Sequence, residues 1–203
     1  MSQNKIITIG RQLGSGGREI GKQLSEKLGI GYYDREIIQK AALESGIAED
    51  IMESYDEKAS KSFLYSLVMN STLYTGNDTK PLELRAYLAQ VNAIKRIADS
   101  GPCVIVGRGA DYILRNYSNL TKVFIVADID YRIQRVMERR NLSAEKAQVL
   151  IQRTDKSRES FYNYHTEQKW SDVRNYDLCI NSAKASLSGA IKVIDCFISN
   201  NKN

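Results

Sequence analysis

One run of residues limits what this chain can fold into. Ile7-Thr8-Ile9-Gly10-Arg11-Gln12-Leu13-Gly14-Ser15-Gly16-Gly17-Arg18-Glu19-Ile20 passes from a β-branched strand, through a glycine-rich turn, into the first turn of a helix. Glycines let the backbone turn its N–H groups inward, and the helix N-terminus that follows adds partial positive charge. An element of this kind is built to hold phosphate. It also needs a sheet beside it, because a strand that is apolar along its whole length is stable only when covered on both faces.

Two loop patterns can be tested against the run. The dinucleotide fingerprint GxGxxG starts well at Gly14-Ser15-Gly16, and Asp34 follows about twenty residues on, where a ribose-binding acid belongs. Its sixth position is Glu19, however, and Gly14 lies too far beyond Ile9 for a turn that leaves the strand directly. The triphosphate pattern GxxxxGK[ST] fits the loop length with Gly16 as its second glycine. Arg11 then takes the first glycine's place, Gly17 the lysine's and Arg18 the hydroxyl residue's. A kinase-type phosphate loop, a dinucleotide loop and a structural glycine turn are the three readings, and loop length favours the first. On it, Gly14, Ser15, Gly16, Gly17, Arg18 and Glu19 line the donor site. Ser15 is the nearest loop hydroxyl for a metal ion, and Arg18 or Lys22 the cation nearest the missing lysine.

Four further apolar segments read as strands: Gly31 to Tyr33, Cys103 to Val106, Lys122 to Val126 and Leu178 to Ile180, beside Lys5 to Ile9. Helical stripes separate them, such as Ile20, Leu24 and Leu28, or Leu84, Leu88, Val91, Ile94 and Ile97. The order implies an α/β fold with a doubly wound, five-stranded parallel sheet. With 203 residues, 42% hydrophobic and 26% charged, the chain suits a single domain over 1–203. The interval between Tyr33 and Cys103 carries no strand signal and is too long for one crossover, so 35–100 is expected to be a helical insertion. A second helix-rich stretch, about 130–170, is dense in arginine: Arg132, Arg135, Arg139, Arg140, Arg153 and Arg158.

The charge balance, 29 Lys+Arg against 24 Asp+Glu, favours small anionic ligands without requiring nucleic acid as a partner. Cys103, Cys179 and Cys196 each sit alone in an apolar stretch and are expected to be buried, reduced thiols. No apolar run approaches the roughly 18–20 residues of a membrane span. Gly10 and Arg11 interrupt the N-terminal apolar stretch, so a soluble, cytoplasmic protein with no membrane partner is expected. The stripe Ile191, Ile194, Ile198 fits core and dimer surface alike, which leaves the oligomeric state unset.

Taken together, ITIGRQLGSGGREIGKQLSEKLG, GYYDREII, CVIVGRGADYIL, TKVFIVADIDYRIQRVMERR, RTDKSRESFYNYH and YDLCINSAKASLSGAIKVI resemble the cytidylate-kinase-like family of nucleoside monophosphate kinases. The resemblance covers nearly the whole chain. It implies a fold of the P-loop kinase type, with 35–100 as an acceptor-binding insertion and a short arginine-bearing lid within about 130–170. The implied reaction is ATP-dependent, magnesium-requiring phosphoryl transfer to a small-molecule nucleotide, with CMP or dCMP as the expected acceptor. Direct in-line attack leaves no covalent intermediate, so positioning and charge neutralisation do the work.

The resemblance also distributes roles. Arg108, after the third strand, would grip the acceptor phosphate, as the arginine of the matching GRD segment does; the inserted Gly109 and Ala110 put any role for Asp111 in doubt. Arg158, in a D-x-x-R pair with Asp155, would reach the phosphates from the lid, oriented by that carboxylate. Arg139, on a basic stripe with Arg132 and Arg135, is expected to stabilise charge together with Arg18, Arg108 and Arg158. Asp34 and Arg35 could hold the acceptor phosphate or the metal's water shell, although Asp34 serves equally well as a helix N-cap. Phe161, Tyr162, Tyr164 and Trp170 around His165 read as a helix packing on the domain. Two other functions share this fold: a kinase for a different small acceptor, and a non-catalytic nucleotide-binding regulator that lost transfer with the lysine.

Overall fold

The computed structural model of the chain describes residues 5–38 and 82–200. Five strands form one parallel sheet: β1 (Ile6–Arg11), β2 (Gly31–Tyr33), β3 (Cys103–Val106), β4 (Leu120–Val126) and β5 (Leu178–Asn181). Their spatial order is β2-β3-β1-β4-β5, and every neighbouring pair is parallel. The α/β doubly wound sheet expected from the sequence is therefore present. The chain goes from β1 to β2 at one edge, returns through β3 beside β1, and then crosses to β4 on the other side of β1, so the order reverses there. In such sheets the crevice outside the strand carboxyl ends is where ligands bind, and the glycine-rich loop lies there.

The helices are α1 (Gly17–Leu28), α2 (Leu82–Asp99), α3 (Ala110–Ile113), α4 (Ile129–Arg140), α5 (Ala144–Thr166) and α6 (Ser182–Asn200), the last interrupted at Ser186. The chain divides into two units, Met1–Arg35 with Ala98–Asn203, and Glu36–Ile97. Of the second unit the structure describes residues 36–38, which are helical, and 82–97 of α2. Most of the expected insertion, residues 39–81, lies outside the described residues. In α2 the stripe differs from the expected one: Leu84 and Leu88 are exposed, while Ala86, Ala89, Ala93, Ile94, Ile97 and Ala98 are buried. Small residues, overlooked by a search for large aliphatics, set the buried face.

Alternation within β1 sends Ile7 and Ile9 to one face of the sheet, where they join Val104, Val106, Val123 and Ile125 beneath Ile20 and Leu24 of α1 and Ile191, Ile194 and Ile198 of α6. The C-terminal isoleucine stripe is thus core. Gly10 turns to the other face, where a Cβ would lie 2.6 Å from the Phe124 ring, so its bare backbone gives that ring room. Phe124 stacks on Tyr176 at 4.6 Å and meets Trp170 edge-on, and Tyr162 of α5 closes this second cluster. The aromatic run of α5 does pack on the domain through Tyr162, while Tyr164 remains 81% exposed. The His165 ring lies 4.6 Å from that of Phe161, and partial burial holds its pKa low.

The cysteine expectation is half corrected. All three are free, and Cys103 is buried, which pushes its thiol up to about 11. Cys179 and Cys196 are exposed. Cys179 sits on edge strand β5, and Cys196 falls between the inward Ile194 and Ile198 on the outer side of α6, so an apolar neighbourhood in sequence did not mean an apolar neighbourhood in space. No helix among the described residues is long and apolar enough to cross a membrane.

Asp111 explains how the turn after β3 is fixed. It is buried in α3 and accepts a hydrogen bond from the Tyr162 hydroxyl at 2.7 Å, joining α3 to α5. Burial raises its pKa, and Tyr162 opposes that shift in part. A carboxylate whose folded pKa is raised costs stability at every pH above that pKa, and the cost vanishes below the unfolded value. Asp111→Asn keeps the acceptor and removes the buried charge. Thermal melts should place the variant above wild type at pH 7, with the gap closing as pH falls toward the ordinary carboxylate range; a pH-independent gap would contradict this account.

Candidate active site

The loop between β1 and α1 is fixed by bonds to three other elements. Its Gln12 N–H donates to the Ile125 carbonyl at 3.0 Å, and Gln12 Oε1 accepts from the Ala127 N–H at 3.2 Å, which staples the loop to the end of β4. Ser182, at the start of α6, donates its hydroxyl to the Ser15 carbonyl at 2.6 Å. Leu13 inserts among Val136, Ala147 and Ile151, the apolar seam between α4 and α5. Gly14 and Gly16 take left-handed backbone, φ 82° and 79°. A Cβ on Gly14 would lie 2.7 Å from the Arg132 carbonyl, and one on Gly16 would collide with Leu187. The dihedral angle favours glycine at both positions, and at Gly14 the Arg132 backbone also leaves no room for a Cβ. The turn delivers the backbone to the N-terminus of α1, whose N-cap is Gly16.

Asp155 of α5 is the clamp of this arrangement. Its Oδ1 accepts from the Leu13 N–H at 2.8 Å and its Oδ2 from Arg132 Nη1 at 2.5 Å, while Arg158 Nη1 lies 3.7 Å from Oδ1. One carboxylate thus ties the loop, α4 and α5 together. The expected orienting role of Asp155 toward Arg158 has this geometry beside it, and the larger contacts go to the loop and to Arg132.

The other expected residues fall into two groups. Glu19 pairs with both Arg135 and Arg139, so the basic stripe of α4 faces a carboxylate of α1. On the other side of the loop, Arg18 pairs with the buried Asp34 at 2.6 Å, immediately before the helical residues 35–38. Arg108 follows β3 at φ 60°, between Gly107 and Gly109, which also have positive φ. Left-handed backbone at a side-chain-bearing residue costs of order 1–3 kcal/mol and persists only where the surroundings enforce it. Arg158 donates from Nη1 to the Arg11 carbonyl at 2.9 Å. Its guanidinium pKa is lowered by burial, against the attraction of Asp155 and with a smaller contribution from Arg35. Arg11, Arg18, Asp34, Arg35, Arg108 and Arg158 therefore gather at the carboxyl edge of β1, β2 and β3, while Arg139 and Glu19 stand beside α1 and α4.

Ser15 is fully buried and donates its hydroxyl to the Gln12 carbonyl at 2.9 Å, so the metal-facing hydroxyl expected at this position is turned inward. Among the described residues no cluster of three or more His, Cys, Asp or Glu side chains is arranged to hold a metal. Sequence reasoning missed Arg11 as a member of the site. The available signal was the misfit itself, a long cation where the triphosphate pattern has a glycine.

The comparisons agree with this geometry. The model of the cytidylate kinase-like family matches residues 6–184. The chain belongs to that family. It is 25% identical to a cytidylate kinase of Pyrococcus horikoshii over 95% of this chain and 88% of the relative. A crystal structure of an uncharacterized protein from Eubacterium ventriosum is similar at 29% identity and a TM-score of 0.75, covering 97% of this chain and 99% of that one. The fold also matches the shikimate kinase of Bacteroides thetaiotaomicron, at 14% identity and a TM-score of 0.56, over 96% and 98% of the two chains. That last likeness concerns architecture alone.

Removing the clamp tests the arrangement. Asp155→Ala frees the Leu13 N–H and leaves Arg132, only 10% exposed, without its carboxylate. Breaking such a pair from one side costs about 3 kcal/mol, to be read from urea unfolding. Asp155→Asn, which still accepts from Leu13, should lose less.

Proposed function

We propose that this family member is an ATP-dependent phosphotransferase whose acceptor is a nucleoside monophosphate, with CMP or dCMP the first choice. The observation that carries the reading is the gathering of guanidinium groups from several elements around a glycine-rich loop at the carboxyl edge of a parallel sheet. Phosphoryl transfer needs positioned positive charge more than covalent chemistry. The loop backbone from Gly14 to Arg18 would hold the donor phosphates, consistent with the left-handed backbone of Gly14 and Gly16. Arg108 and Arg158 would hold the acceptor phosphate and the transferred group, and a guanidinium can do so through two parallel hydrogen bonds. Arg35 would add charge on the acceptor side, and Arg18 is held in place for the donor side by Asp34.

Arg139, paired with Glu19, would add charge at the far side of α1. Asp155 acts as a positioning residue through the loop and Arg132. Magnesium suits a site of this kind if it arrives on the nucleotide, since the ion keeps several waters and takes its oxygen ligands largely from phosphates. Asp34, buried and paired with Arg18, would have to share its carboxylate with that water shell, and the inward hydroxyl of Ser15 is the poorer candidate. When bound, the ion would neutralise phosphate charge. The acceptor would be held by the insertion expected over 35–100.

The deciding experiment is ADP release from Mg-ATP against CMP, dCMP, UMP, AMP, GMP and dTMP, with ATP binding followed in parallel. Acceptor-dependent turnover with one of these names the base. Saturable ATP binding without turnover on any of them would select a regulator or a different acceptor. For the preferred acceptor, Arg108→Ala should raise KM and lower kcat, a loss of about tenfold to a hundredfold in kcat/KM. Unchanged kinetics would remove Arg108 from the site.

A further inference from the structure

Arg11 is the residue that the triphosphate pattern leaves unexplained. It ends β1, and its stem lies across Gly17: a Cβ built on Gly17 would be 2.5 Å from Arg11 Cβ and 3.0 Å from its Cγ. A side chain at 17, lysine included, needs the space that the Arg11 stem fills. Two of the three departures from the pattern, at 11 and at 17, are therefore coupled in space. A long cation is absent at 17 and present at 11, and the packing lets only one of the two positions carry it.

The stem carries its guanidinium to the turn after β3. A Cβ on Gly107 would collide with Arg11 Nη1, so the glycine there keeps the space for it. Arg108 is the next residue, and Arg158 reaches the backbone carbonyl of Arg11 itself. Among the described residues the Arg11 guanidinium makes no ion pair. Burial, Arg158 and Arg108 together push its pKa down to about 9. Like charges gathered in partly desolvated surroundings repel, and a bound polyanion reverses the sign of that interaction.

We propose that Arg11 is a phosphate-binding residue that delivers, from the strand side of the loop, the positive charge a lysine at 17 would deliver from the helix side, and that it forms one polyphosphate site with Arg108 and Arg158. The proposal rests on the phosphotransferase reading for its nucleotide, and only for that.

Arg11→Met keeps Cβ and Cγ over Gly17 and removes the charge, while Arg11→Gly combined with Gly17→Lys moves the cation to the other position. Inorganic triphosphate and ATP binding are measured by calorimetry on wild type, Arg11→Met, Gly17→Lys and the exchanged pair, with circular dichroism as the check on folding and ADP release in parallel. Arg11→Met should bind triphosphate about tenfold to a hundredfold more weakly than wild type. Gly17→Lys alone should bind poorly or fold poorly, and the exchanged pair should return to within about tenfold of wild type. A folded Arg11→Met that binds like wild type, or a folded exchanged pair that does not bind, overturns the proposal. Arg11-dependent triphosphate binding without turnover on any acceptor upholds it and sinks the phosphotransferase reading. Turnover indifferent to Arg11→Met does the reverse, and a wild type that binds neither ligand overturns both.

Discussion

Positive charge gathered at one edge of a sheet has to be held there against its own repulsion, and this constraint organises the molecule. Each guanidinium that serves the framework has a carboxylate from a different element: Arg132 has Asp155, Arg135 and Arg139 share Glu19, and Arg18 has Asp34. These pairs cross between α4 and α5, between α1 and α4, and between α1 and the end of β2. They fix relative positions that apolar packing alone would leave adjustable. The Asp155 carboxylate does most, because it also accepts from the loop backbone at Leu13 while Leu13 itself is seated in the α4–α5 seam. A single site thus combines apolar burial, a backbone hydrogen bond and an ion pair, and the glycine-rich loop takes its shape from all three.

What was legible in the sequence is what local rules decide. β2 and β3 fall at their expected bounds, α1 runs from Gly17 to Leu28, and the glycines of the loop stand where left-handed backbone is needed. Buried parallel strands announce themselves as continuous apolar runs, and a helix entered from glycines carries its own start signal. The long-range partners were illegible. Leu13 and Asp155 are 142 positions apart, and Glu19 and Arg135 are 116 apart. Nothing in either neighbourhood marks one as the other's partner. The basic stripe of α4 could be drawn on a helical face, but the carboxylate it faces comes from α1, and only the fold brings the two together. The cysteines failed for a related reason: Cys179 and Cys196 have apolar sequence neighbours, yet an edge strand and a helix flank turn them outward.

The same distinction accounts for Ser15 and Arg11. Pattern matching assigns a hydroxyl to the metal because the hydroxyl is close in sequence, whereas the folded loop uses Ser15 to close its own turn on Gln12. Pattern matching gives Arg11 no part because a glycine stands there in the pattern, whereas its stem fills the space above Gly17. A motif expression records side chains position by position. Space in the fold is shared between positions, so the side chain at 11 and the bare backbone at 17 go together, while the expression registers them as separate mismatches.

The framework pairs also bear on how α4 and α5 can move. In a kinase lid that swings, catalytic arginines are delivered by closure. Here Arg132, Arg135 and Arg139 of α4 are engaged with carboxylates of α1 and α5, and Leu13 locks the seam to the loop. Drawing α4 away from the loop would strip Arg132 of its buried partner and expose that apolar seam at the same time. Both costs oppose a wide opening. The charge of α4 is therefore held in place by its carboxylates, and preorganised charge is most effective where it need not be rearranged during a reaction. Arg158 illustrates the compromise: it is near enough to Asp155 to be oriented by it, at 3.7 Å, and its main hydrogen bond goes to the backbone at the mouth of the loop. The carboxylate that holds the framework thereby also stands beside Arg158.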